Sequence, residues 1–77
     1  MPYSKEEMDL LREHADLLSR RELEILLLRS GIKDGKPMDL KDVGDRLGIT
    51  RERARQIERK AFSKMKAAEA PSQKAPK

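Results

Sequence analysis

Four times in 77 residues a short polar side chain stands immediately ahead of an amphipathic run: Ser4, Ser19, Asp39 and Thr50. Two of the four, Ser4 with Glu7 and Ser19 with Glu22, have the spacing of a capping box, in which each partner satisfies an orphan amide of the other's backbone. Start signals this close together leave room only for short helices. The first helix is predicted from Ser4 through about Leu18, with Met8, Leu11, Ala15 and Leu18 on one face. The second runs from Arg20 to about Ser30 and is closed by Gly31. The third spans Leu40 to Leu47 behind Asp39, and the fourth Arg51 to about Ala67 behind Thr50. Nothing reads as a strand. The loop 31–37 carries two glycines and Pro37, and from Ala68 the composition turns to Ala, Pro, Ser, Gln and Lys, which predicts a disordered tail over 68–77.

The expected architecture is therefore all-α: one small four-helix domain over residues 1–67, with a helix-turn-helix at 40–67. A chain this short buries only about 60% of its unfolded surface, so its stability should be marginal. It has no cysteine to add a disulfide or a thiolate metal site. No apolar run approaches the roughly 20 residues that span a bilayer, and there is no signal-peptide pattern, so the expected compartment is the cytoplasm.

The helix-turn-helix pattern is specific in its glycines. Gly44 falls where the third and fourth helices approach most closely, and Gly48 at the first turn position, where positive φ is required. Val43, Leu47, Ile49, Ala54 and Ile57 fill the inward positions around them.

Charge points the same way. Residues 1–50 carry 9 basic and 11 acidic side chains, whereas residues 51–66 carry 7 basic and 2 acidic. Gathering cations on one element is the footprint of a nucleic-acid contact, although a solvated helix rich in lysine has the same balance. The wheel separates the two. At about 100° per residue, Ala54, Ile57, Ala61 and Met65 form a narrow apolar stripe with Phe62 at its edge. Opposite lie Glu52, Arg55, Gln56, Arg59 and Ser63, with Arg51 at one margin and Lys60 toward the other. Arginine matches guanine O6 and N7, glutamine adenine N6 and N7, and glutamate accepts from cytosine N4, so this face suits base readout better than solvation alone. Arg53, Arg59, Lys60, Thr50 and Lys41 are the candidates for the phosphate backbone. Thr50 serves equally as a helix cap, and Glu58 is expected to pair with a nearby base within its own helix. The single histidine, His14, has no nucleophile or metal ligand at a motif spacing and reads as a surface residue, so no enzyme, metal or cofactor is expected.

The run from Leu40 to Lys66, above all Thr50-Arg-Glu-Arg53 with Arg55-Gln-Ile-Glu58 and Lys60-Ala61, closely resembles region 4 of the sigma-70 factors of bacterial RNA polymerase. Ser19-Arg-Arg-Glu22, Leu28-Arg29 and Gly31-Ile32 are similar to the segment that precedes this motif in the family, and the likeness covers roughly residues 17–66. The resemblance implies that Arg51, Glu52, Arg55 and Gln56 contact bases of the −35 element in double-stranded promoter DNA. It implies that Lys60 meets the DNA backbone or an upstream activator, and it admits an activator or an anti-sigma protein as a further partner. It also implies docking on the flap of the polymerase β subunit, for which Leu23, Ile25 and Leu28 on the strongly apolar second helix are the candidate surface. Packing within a thin core explains most of those residues equally well. Three positions depart from the family pattern: Ala54 is smaller than usual, Phe62 stands where Leu is common, and Asp39 occupies a cap often held by Thr. The 77 residues include no counterpart of the segment that binds the −10 element, so an excised domain and a free-standing relative are both open. The second function class is a regulator that occupies the polymerase flap and competes with or adapts another sigma factor.

Overall fold

Each helix starts where the sequence places a cap. In the computed structural model, which describes residues 3–69, Ser4 Oγ accepts from the Glu7 amide at 3.1 Å while Glu7 returns a bond to the Ser4 amide at 2.9 Å. Ser19 and Glu22 repeat the pair at the same two distances. Asp39 accepts from the Asp42 amide at 2.8 Å, and Thr50 from the Arg53 amide at 3.0 Å. The elements that follow are α1 (Lys5–His14), a 3-10 turn (Ala15–Leu17), α2 (Arg20–Ser30), α3 (Leu40–Leu47) and α4 (Arg51–Glu69). The fold is all-α, with no strand among the described residues.

Two boundaries differ from expectation. The apolar period predicts a first helix to about Leu18, but α1 ends at His14 and tightens into the 3-10 turn. The capping box of α2 requires an extended Ser19, and Leu18 is already extended at φ −92° and ψ 146°, so the α-helix has to stop a turn earlier. At the other end α4 continues to Glu69, taking in Ala68 and Glu69 from the expected tail. Ala67 and Ala68 are strong helix formers, and Glu69 is held from outside by His14. The remainder of that tail, residues 70–77, lies outside the described residues.

The long helix α4 is the spine, packed against α1, α2 and α3. Its stripe Ala54, Ala61 and Met65 is fully buried and meets Ile25, Leu26 and Leu28 of α2, Val43 of α3, Leu11 of α1 and the ring of Tyr3. Small residues at 54 and 61 let a helix lie close on its neighbours. Gly31 closes α2 at φ 84° and Gly48 closes α3 at φ 75°, both in the left-handed region that glycine enters without steric cost. No buried side-chain nitrogen or oxygen among the described residues lacks a hydrogen-bond partner.

One polar tie between helices is sensitive to acid. Glu22 is buried, and burial alone would raise its carboxyl. Bonds from Lys64 Nζ at 2.8 Å and from the Ser19 amide at 2.9 Å outweigh that and hold it below the ordinary 4.5. A lowered carboxylate adds stability that is fully present above its unfolded pKa and is lost as pH falls through the folded value. The urea midpoint followed by circular dichroism should therefore be flat near neutrality and decline below about pH 4.5. Glu22→Gln should shallow that decline, and an unchanged acid slope in the variant would remove this pair as its source.

Candidate nucleic-acid interface

The pairing of α3 with α4 follows from backbone contact at one point. A Cβ on Gly44 would sit 2.7 Å from the Ile49 carbonyl oxygen and 3.3 Å from the Arg51 amide nitrogen, so only glycine lets the turn fold this tightly onto α3. The Ile49 amide bonds back to the Gly44 carbonyl at 2.9 Å, and the Ala54 amide to the Thr50 carbonyl at 3.0 Å. These contacts fix where α4 starts and how closely its first turn lies against α3.

That outer side carries the residues expected there. Arg51, Glu52, Gln56, Arg59 and Lys60 are exposed and Arg55 is half-buried, while Ala54 and Ala61 lie at zero exposure on the opposite side. Three of these side chains, Glu52, Arg55 and Gln56, are bonded to one another. Arg55 grips Glu52 through Nε at 2.9 Å and Nη2 at 2.6 Å, and the Gln56 amide reaches the same carboxylate at 3.4 Å. The Arg55 hydrogen bonds, with the charge behind them, hold the Glu52 carboxyl below its usual value. Planar donors and acceptors are thereby presented side by side in a fixed arrangement. Of the backbone candidates, Arg53 and Thr50 lie exposed at the start of α4, and Thr50 serves as its cap. Lys41 is exposed on α3 and is tied to Asp45 at 3.2 Å.

Three expectations are corrected. Ile25 and Leu28 are not available as a partner surface: their exposures are 0% and 2%, because both belong to the core cluster with Ala54, Ala61 and Met65 of α4. What α2 leaves at the surface is a shallow groove lined by Arg20, Leu23, Glu24, Leu27 and Lys33, in which Leu27 joins Leu23. Glu58 does not pair within its own helix. Its Oε2 accepts from Arg29 Nε of α2 at 2.9 Å and from the Tyr3 hydroxyl, with side-chain exposures of only 12% for Glu58 and 16% for Arg29. His14 is not a free surface residue either, since its Nε2 lies 2.7 Å from Glu69 and 3.8 Å from Glu13. It joins the end of α1 to the end of α4. Sequence spacing hides the pairings of Glu58 with Arg29 and Tyr3 and of His14 with Glu69, because the partners lie 29 or 55 residues apart.

Fold and site together define a helix-turn-helix domain whose second helix presents an arginine- and glutamine-bearing face to solvent. The family model described as Sigma-70, region 4 matches residues 16–67, and the chain belongs to that family. It is 44% identical over 59 residues to the RNA polymerase principal sigma factor HrdC of Streptomyces coelicolor, covering 77% of this chain and 17% of that protein. It is 46% identical over 56 residues to the RNA polymerase sigma factor SigA of a Bacillus species, covering 73% of this chain and 15% of the relative. The chain thus spans about a sixth of the length of the curated relatives it matches. No helix among the described residues is long and apolar enough to cross a membrane.

Proposed function

We propose that this domain recognises promoter DNA during transcription initiation as part of a bacterial RNA polymerase complex. In this reading α4 lies in the major groove and reads the −35 element through Arg51, Glu52, Arg55 and Gln56. Thr50, Arg53, Arg59, Lys60 and Lys41 hold the flanking phosphates. One observation carries the proposal: four side chains able to pair with base edges lie on the solvent side of α4, away from its buried alanines. Membership of the sigma-70 region 4 family agrees with it. Docking on the β-subunit flap is the companion contact, and the half-buried Leu23 and Leu27 beside Arg20 and Lys33 are the surface for it. An activator or an anti-sigma protein would be accommodated on the remaining rim.

The experiment is fluorescence anisotropy of a duplex carrying a −35-type hexamer against a scrambled duplex, at two salt concentrations. The hexamer should be preferred at both. Arg55→Ala should weaken hexamer binding by about 1–3 kcal/mol, roughly five- to 150-fold, and barely affect the scrambled duplex. Equal, salt-sensitive binding to both duplexes by the parent protein would sink base readout. The domain would then be read as a regulator that occupies the flap and competes with or adapts another sigma factor.

A further inference from the structure

Tyr3 and the whole of α1 lie ahead of residues 16–67, the stretch that matches the family. Tyr3 is nevertheless 4% exposed, the burial of a core residue. The chain has one tyrosine, one phenylalanine and no tryptophan, and its two aromatic rings are placed against each other. The ring of Tyr3 meets that of Phe62 edge to face, with centroids 5.0 Å apart and planes at 87°. Its hydroxyl donates to Glu58 Oε2, the same oxygen that accepts from Arg29 Nε. Arg29 in turn donates from Nη1 to the Met38 carbonyl at 2.9 Å, one residue ahead of the cap of α3, and its guanidinium lies 5.9 Å from the Tyr3 ring centroid.

The contacted residues share a strip of α4. Glu58 and Phe62 follow Arg55 at i+3 and i+7, so all three lie along one line of the helix surface. The N-terminal end of that line faces outward with Arg55. Its C-terminal end is gripped by Tyr3, while Arg29 ties the same carboxylate to the entry of α3. A reading face must be held within about 0.5 Å and 10–20° of its working geometry, and a rigid helix transmits rotation along its whole length.

We infer that Tyr3 is a positioning residue for the reading face: through Glu58 and Phe62 it sets the rotation of α4 at which Arg55 and Gln56 meet base edges. This rests on the promoter-recognition reading, and the test separates the two.

Tyr3→Phe keeps the ring and removes the hydroxyl, while Tyr3→Ala removes both. Each is compared with the parent protein in three ways, well below its melting temperature. The first is amide chemical shifts of the free protein along α4, the second the ratio of affinities for hexamer and scrambled duplex, and the third the melting point. Positioning predicts shifts reaching Arg55 and Gln56, and a ratio reduced about three- to tenfold in Tyr3→Phe, the size expected of one lost hydrogen bond. Tyr3→Ala should reduce it further, with scrambled-duplex affinity unchanged. A lower melting point with the ratio intact and amide changes confined to the neighbourhood of residue 3 would overturn the inference. If the parent protein itself shows no hexamer preference, promoter reading fails and the free-protein shifts alone decide. Shifts at Arg55 and Gln56 would uphold positioning of α4, and silence there would end it.

Discussion

Gly44→Leu is expected to abolish the packing of α3 on α4, leaving a chain that shows reduced helicity by circular dichroism and no cooperative melt. The clash is with backbone, which cannot swing aside as a side chain would. A Cβ would meet the Ile49 carbonyl oxygen at 2.7 Å and the Thr50 carbonyl carbon at 3.2 Å, and the rest of a leucine would have to pass through the same space. The turn cannot retreat on its own. Its Ile49 amide is bonded to the Gly44 carbonyl, and Thr50 caps α4. A domain of this size has a total stability of roughly 4–12 kcal/mol, at about 0.05–0.15 kcal/mol per residue, so separation of its two best-packed helices should consume most of it. Gly48→Ala is the control. Nothing lies within 4 Å of a Cβ there, and only the left-handed backbone at φ 75° resists the change, at about 1–2 kcal/mol. Equal melting points for the two variants would refute the close approach at Gly44.

Glu58→Ala should be the next most damaging change, at about 3 kcal/mol, because it leaves a shielded guanidinium facing a hydroxyl with no anion between them. Arg29 and Glu58 are 16% and 12% exposed, so water replaces the lost partner poorly. Burial is the main reason the Tyr3 hydroxyl lies far above its ordinary pKa, and that burial does not come from the Glu58 carboxylate, so tyrosinate does not compensate near neutrality. Glu58→Gln keeps an acceptor of the same shape and should cost about half as much, since charge-assisted hydrogen bonds are roughly twice as strong as neutral ones. Chemical denaturation of Glu58→Ala, Arg29→Ala and the double variant measures the coupling. Additive losses would show that the two side chains do not act as one unit.

What was legible in the sequence was what is decided locally. Each cap closes within three residues, so Ser4, Ser19, Asp39 and Thr50 announced their helices, Gly31 and Gly48 announced left-handed helix ends, and Gly44 announced the close approach of α3 to the turn. The outward set on α4 was legible because helical periodicity alone separates Glu52, Arg55 and Gln56 from Ala54 and Ala61. The junctions between helices were not. Tyr3 with Glu58, and His14 with Glu69, lie 55 residues apart, and no local pattern marks either pair. The same gap explains the misreading of α2. A helix apolar on every side does not declare which leucines face inward, and the position of α4 chose Ile25 and Leu28 and left Leu23 and Leu27 near the surface.

The bonded cluster of Glu52, Arg55 and Gln56 bears on what any ligand of this face must do. The pair is open to water, with side-chain exposures of 42% for Arg55 and 59% for Glu52, so it adds little to folding stability. Two hydrogen bonds nevertheless hold the Arg55 guanidinium in one plane before anything arrives. Immobilising a flexible side chain on association costs about 0.5–1.5 kcal/mol, and part of that loss has already occurred in the free domain. An incoming group that shares Arg55 with Glu52 meets a prearranged surface, whereas one that must pull them apart first loses two bonds. The face therefore selects by whether a ligand fits the arrangement already in place, and a bare negative charge gains less from it than the count of arginines suggests.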